Sequence, residues 1–175
     1  MVLIRKAIIS DIDDIVNIID NVVPIMNSNN NYQWSVGVYP LRADFEKDIV
    51  NDILWVAIDD NVNNVIGVVA LDHICPLEYK DAGVDITSKC IVPHRLAVHP
   101  NHQGKGIALS LMNKAMELAK TSNYSYVRVD TNIINDKMQN MFTKLGFVNK
   151  GLIKLIGITI IIIIIIIIIT IIIIR

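Results

Sequence analysis

"HRLAVHPNHQGKGIALSLM", residues 94–112, places a short apolar stretch, a turn holding Gly104, Lys105 and Gly106, and a run with helical spacing in direct succession. That order predicts a strand, a glycine-bearing turn and a helix. The first turn of a helix leaves amide N–H groups without acceptors and carries a partial positive charge, so such a turn presents donors to an anion. Gly104 and Gly106 keep Cβ atoms away from an approaching phosphate, and Lys105 adds positive charge. The stretch therefore suits a phosphorylated ligand. Two familiar phosphate motifs fail here. A Walker loop needs Ser or Thr after its lysine, where Gly106 stands, and a dinucleotide fingerprint needs glycine where Leu109 stands.

Outward from this point the chain reads as strands alternating with helices. Residues 2–9 are β-branched and form a first strand; Ser10, three residues before Asp13, opens a helix on which Ile12, Ile15, Val16 and Ile19 recur through Val22. Residues 24–40 lack periodicity and read as a long loop, in which Trp34 and Tyr39 either line a substrate pocket or seal the core edge. A second helix spans 41–52, with Leu41, Phe45 and Ile49 on one face, and residues 53–59 and 65–74 form a hairpin. A polar connection over 75–89 carries Glu78, Asp81 and Asp85. Then come a strand at 90–100, a helix at 106–120 with Leu109, Met112, Ala115, Met116 and Ala119 inward, and a strand at 126–133. A helix at 136–145 stopped by Gly146 and a strand at 147–153 complete the pattern. With no internal repeat, this order describes one mixed α/β domain of the α+β kind over residues 1–154.

Composition narrows the function classes. The 175 residues hold 16 Lys and Arg against 17 Asp and Glu, a net charge of -1, which offers no basic field for nucleic acid. Cys75 and Cys90 stand outside any ligand-like spacing and read as reduced thiols of a cytoplasmic protein. The first residues lack the apolar segment of a secretory signal. Residues 155–175 form a low-complexity tail in which 160–169 are all isoleucine. Its length and hydropathy fit a C-terminal membrane anchor, yet it lacks the mixed composition and interfacial aromatics of a natural span. Isoleucine and the abundant asparagine share AT-rich codons, so a repeat expansion accounts for both, and a terminal strand written in isoleucine is the third reading. Membrane contact is expected only through this tail.

Gln103-Gly104-Lys105-Gly106-Ile107-Ala108 has the pattern Q-x-x-G-x-A and follows "LAVHP". In these residues the chain resembles the GNAT family of N-acetyltransferases, whose acetyl-CoA loop, [Q/R]xxGx[G/A], directly follows the fourth strand. The element order agrees over residues 2–153, "VDTNIIN" resembles the fifth strand and its exit, and "MFTKLGF" resembles the late helix and the strand after it. The resemblance implies the GNAT-type acyl-CoA N-acyltransferase fold, a mixed, mostly antiparallel twisted sheet with helices on both faces. It further implies an enzyme that moves the acetyl group of acetyl-CoA to a primary amine of a small molecule or peptide, without a metal, as a monomer or homodimer. Leu96, Ala97 and Val98 would hold the pantetheine arm through their backbone, Gln103 to Ala108 would wrap the pyrophosphate, and Asn135 would stand beside the cofactor arm. The alternative is a non-catalytic or decayed acyl-CoA binder.

Acetyl transfer to an amine requires removal of a proton, a donor for the oxyanion and a fate for the thiolate. Some family members use a glutamate on the fourth strand as base; Val92 occupies the aligned position, and His94, two residues on and on the same strand face, is the candidate in its place. "HRLAVH" also resembles the arylalkylamine acetyltransferase branch, where a histidine here is implicated as base. The resemblance assigns the oxyanion to the Val98 N–H. Many members protonate the thiolate with a tyrosine on the late helix, and this chain has Phe142 there, leaving water, Tyr124 or Tyr126. Glu78, Asp81, Asp85, Asp130 and Thr131 are candidates to attract or face the acceptor. His99 and His102 have a metal-like spacing but lie in a loop containing Pro100. The family's seventh strand would fall in the isoleucine run.

Overall fold

The computed structural model describes residues 2–60, 62–154 and 160–167, with side chains through residue 153. Contacts divide the chain into two compact units, Met1–Asp72 with Pro93–Lys114, and His73–Val92 with Ala115–Arg175.

The first unit holds β1 (Val2–Lys6), α1 (Ile12–Ser28), α2 (Arg42–Val50), β2 (Leu54–Asp59), β3 (Asn64–Asp72), most of β4 (Cys90–Val98) and the first half of α3 (Ile107–Thr121). β1 pairs with β2 and β2 with β3, both antiparallel, and β4 is next in the strand order. Its core forms because α1 repeats apolar residues at helical spacing: Ile12, Ile15, Ile18, Ile19, Val22 and Val23 are buried against Phe45 of α2 and Leu54, Val56, Ile58, Val68 and Ala70 of the strands. Each such side chain contributes about 1.5–3 kcal/mol on burial. The other face of β2 and β3 is buried too, at Trp55, Ala57 and Val69, which explains strands that read as nearly continuous apolar runs.

The second unit holds the start of β4, the rest of α3, β5 (Tyr126–Asn132), α4 (Asp136–Lys144), β6 (Val148–Lys154) and β7 (Ile160–Ile167). Its strand order is β4, β5, β7, β6. β7 lies between β5 and β6, antiparallel to each, with Asp130 opposite Ile163 and Leu152 opposite Ile162. β4 and β5 are parallel, and among the described residues their ladder consists of Cys90 opposite Tyr126 and Ile91 opposite Val127. A short 3₁₀ turn, Leu77–Ala82, buries Tyr79 in a small core with Val84 and Ile153. Cys75 and Cys90 are free thiols, the first half-buried and the second buried.

Five expectations change. β1 ends at Lys6, and Ile8 and Ile9 are 54% and 66% exposed, because the chain turns there to let Asp11 accept the Ile8 N–H at 2.8 Å and grip Arg5 at 2.7 and 2.9 Å. Asp11, rather than Ser10, is thus the residue that organises the approach to α1. The helix also continues through Pro24 to Ser28, so the loop begins near residue 29. A proline inside a helix costs about 3 kcal/mol, and the packing of Val22, Val23 and Met26 on the core offsets it. Leu41 caps α2 from outside and is exposed, as is Leu109, whose expected inward place on α3 is taken by Ile107 and Leu111.

Of the readings of the isoleucine run, the strand applies to Ile160–Ile167, as β-branched residues favour. Residues 155–159 and 168–175 of the expected tail lie outside the described residues. Among the described residues, no helix is long and apolar enough to cross a membrane.

Candidate active site

β4 is irregular where the expected site begins. Pro93 lacks a backbone donor, and Arg95 has a φ of 54°, left-handed backbone inside a strand. For a residue with a Cβ that conformation costs about 1–2 kcal/mol. The Arg95 side chain is tied down on both sides. Its Nε and Nη2 donate to the Oδ2 and Oδ1 of Asp48 on α2 at 2.7 and 2.6 Å, and its Nη1 donates to the Tyr39 hydroxyl at 3.0 Å. Asp48 is 3% exposed, and burial pushes its carboxyl above the ordinary carboxylate range while Arg95 and the nearby His94 pull it partly back. Burial opposes the charge on Arg95, but Tyr39 and Asp48 outweigh that and hold its pKa above the ordinary value. His94 itself is half-buried, with Leu96 half-buried and Ala97 and Val98 buried after it.

The turn after β4 is built from its own side chains. His99 Nδ1 accepts the Asn101 N–H at 3.3 Å, and the His99 and His102 rings meet edge to face at 5.8 Å, so this histidine spacing caps a 3₁₀ turn. Gln103 Nε2 donates to the Val98 carbonyl at 3.1 Å and fastens the loop to the strand end. Gly104 and Gly106 have φ of 77° and 80°, where other residues are strained, and a Cβ added to either would meet no protein atom within 4 Å. Their role is thus conformational, with open space beside them. Ser110 N–H bonds back to the Gly106 carbonyl at 2.9 Å. The amides of Ile107, Ala108 and Leu109 before it are the ones a helix start leaves without intrahelical acceptors. Close packing holds that first turn in place: a Cβ on Gly67 of β3 would lie 3.0 Å from Ile107 Cγ2 and 3.3 Å from Leu111 Cδ1. Lys105 is exposed. This arrangement fits an anionic, phosphorylated ligand.

The first unit therefore gathers His94, Leu96, Ala97, Val98 and Gln103 to Ala108 along one strand, turn and helix start, and Tyr39 joins them through Arg95. Trp34 is buried in the core of this unit. The remaining candidates belong to the second unit. Asn135 caps α4, its Oδ1 accepting the Met138 N–H at 3.3 Å. Asp130 accepts the hydroxyl of fully buried Tyr79 at 2.6 Å, and burial followed by the Asp130 charge raises the Tyr79 pKa well above its usual value. Thr131 is buried. Asp85 is turned onto Thr87 and Ser88, whose hydrogen bonds lower its pKa to about 2, making it a turn-forming residue. Glu78 is half-buried and Asp81 exposed. Phe142 is buried against Phe147, ring centres 5.4 Å apart, while Tyr124 and Tyr126 pair with Lys89 and Arg128.

Reasoning from sequence missed Asp48 and Arg95. The available signal was the position of Asp48, three residues after Phe45 and therefore on the buried face of α2, where a carboxylate demands a partner. A cavity of about 140 Å³ lies in the first unit between Val16, Ile19, Asp20 and Val23 of α1 and residues 35–37 and 40–42. It is lined by no residue of the strand, turn and helix start described above.

Known proteins place this geometry. N-acetyltransferase 8F1 of Rattus norvegicus is 28% identical over 111 residues, which cover 62% of this chain and 46% of that protein. The chain thus matches about half the length of this relative. A GNAT-family acetyltransferase from Streptococcus agalactiae superposes with a TM-score of 0.79 at 24% identity, covering 95% of each chain. The NatC complex bound to Gag peptide and CoA superposes with a TM-score of 0.69 at 15% identity, over 94% of this chain and 96% of that one. These two likenesses show the fold. The model of the acetyltransferase (GNAT) family matches residues 19–147, from α1 to the end of the turn after α4, and the chain belongs to that family.

Proposed function

We propose that the chain is an N-acetyltransferase that moves the acetyl group of acetyl-CoA directly to a primary amine of a small molecule or peptide, in the cytoplasm. The observation that carries the reading is the start of α3. Its first-turn amides, which a helix start leaves without intrahelical acceptors, the positive-φ glycines 104 and 106 with open space beside them, and Lys105 are together suited to the phosphates of coenzyme A. Family membership and the CoA bound by the NatC complex support the same ligand.

The chemistry then distributes over named groups. An alkyl amine with a pKa of about 10.4 is protonated at neutral pH, so one proton leaves before its nitrogen attacks the thioester carbonyl. His94, half-buried on β4, is the group assigned to take it. As the C–N bond forms, charge develops on the carbonyl oxygen, and the Val98 N–H is its assigned donor. The attached nitrogen then gives up its second proton to water, the C–S bond breaks, and the departing thiolate takes a proton from water because Phe142 carries no hydroxyl. Leu96 and Ala97 would hold the pantetheine arm.

Calorimetry of the full chain with acetyl-CoA tests the first half of the reading: binding is expected, and Gly104→Val or Gly106→Val should weaken it at least about tenfold. Thiol release over a panel of aliphatic, aromatic and peptide amines tests the second. His94→Ala should lower the rate by about 10²–10⁴ and remove the acidic limb of the pH profile. No binding of acetyl-CoA overturns the proposal, and binding without thiol release from any amine replaces it with a non-catalytic acyl-CoA binder.

A further inference from the structure

Arg95 is the one left-handed residue among the described residues of β4, and it lies between His94 and the run Leu96 to Val98. An outlier of this kind persists only where the surroundings over-determine it. Here the surroundings are identifiable. The fork of Arg95 is closed on both oxygens of Asp48, a carboxylate almost wholly buried on α2, and its remaining terminal nitrogen reaches Tyr39 in the segment before α2. Helix α2 and the segment before it thus converge on one side chain of the strand.

A left-handed residue reverses the alternation of side chains along a strand. Without it, His94 and the groups of residues 96–98 would keep ordinary strand alternation, and the backbone amides beyond residue 95 would turn to the opposite edge. We infer that Arg95 and Asp48 are positioning residues: their forked ion pair holds residue 95 in its left-handed conformation and thereby sets the direction of the 96–98 backbone that receives the cofactor arm. The inference rests on the function proposed above for what that backbone binds, but the backbone conformation itself can be read without any ligand.

The test uses two variants of the full chain that leave no buried charge unpaired, Asp48→Asn with Arg95→Gly, and Asp48→Asn with Arg95→Ala. They differ only in that glycine enters the left-handed region freely and alanine does not. The first measurement is the set of backbone amide chemical shifts of Leu96, Ala97 and Val98. They should remain near wild-type positions in the glycine variant and move in the alanine variant. The second is calorimetric affinity for CoA, expected within about threefold of wild type for glycine and weakened about tenfold or more for alanine. Equal shifts and equal affinities in the two variants overturn the inference, since a merely structural pair would be indifferent to the choice. If wild type binds no CoA, the proposed function fails while the amide shifts still decide the pin. Should the alanine variant fail to fold while the glycine variant folds with wild-type shifts, the pin is upheld; if both fail, Arg95→Lys, which keeps the charge but breaks the fork, should move the same three amides, and unmoved amides overturn the inference.

Discussion

Arg95 in the first unit is a half-buried arginine on a strand and Arg128 in the second a fully buried one, and they lie in unlike company. Arg95 is held by two carboxylate oxygens and a phenol. Arg128, 1% exposed, donates from Nη1 to Cys75 Sγ at 3.1 Å and lies over the Tyr126 ring at 4.8 Å, while its Nε has no hydrogen-bond partner among the described residues. The carboxylate nearest along its strand face, Asp130, accepts from Tyr79. The first arginine is specified by charge and geometry together, so replacing either member leaves a stranded ion. The second is held by the Cys75 sulfur and the face of the Tyr126 ring, so a long apolar side chain should serve nearly as well.

The largest effect that can break this comparison is Asp48→Ala. It leaves the half-buried Arg95 guanidinium without its counter-ion, and loss of about 3 kcal/mol is expected in urea unfolding. A loss below about 1 kcal/mol would make the two arginines equivalent. Arg128→Met is expected within about 1 kcal/mol of wild type, because Asp85, the carboxylate whose pKa the Arg128 charge helps to lower, is exposed and already held by Ser88 and Thr87, and the methionine fills similar space; a loss as large as that of Asp48→Ala would make the attraction between Arg128 and Asp85 equal in weight to the Arg95–Asp48 pair.

The smallest effect sharpens the environment of Arg128. Burial pushes the Cys90 thiol up to about 11, which the Arg128 charge offsets in part. A thiol whose folded pKa is raised favours the folded state below its unfolded value, and that contribution fades as the pH climbs from about 9 to about 11. Iodoacetamide labelling of Cys90 at pH 9, read by peptide mass spectrometry, should therefore be more than about tenfold slower in the folded protein than in urea. Equal rates would mean that Cys90 is not held in a protonated, buried state.

The glycine turn was legible in residues 94–112 because its requirements are local. Glycine at positions 104 and 106, a lysine between them and an apolar helical period behind them constrain backbone and charge within a few residues. The order of strands and helices was legible for the same reason, since apolar period follows from whether a segment is a helix or a strand. Local reading failed where a distant element decided the outcome. Helix α1 continues through Pro24 because Val22, Val23 and Met26 are held by the core, and Leu109 turns outward because Gly67 admits Ile107 and Leu111 instead. Ile160–Ile167 carries no pattern of its own, and it is a strand because β5 and β6 offer edges on either side of it.

By itself the sequence determined the anion-suited loop, the family and the run of elements, all of which depend on residues within one turn or one strand of each other. Tertiary structure alone decided that Asp48, 47 positions before Arg95, closes on its guanidinium and that Tyr39, 56 positions before, joins them. No local period encodes such a meeting. It follows from the low tolerance of a protein interior for an unpaired charge, which only the folded chain can satisfy.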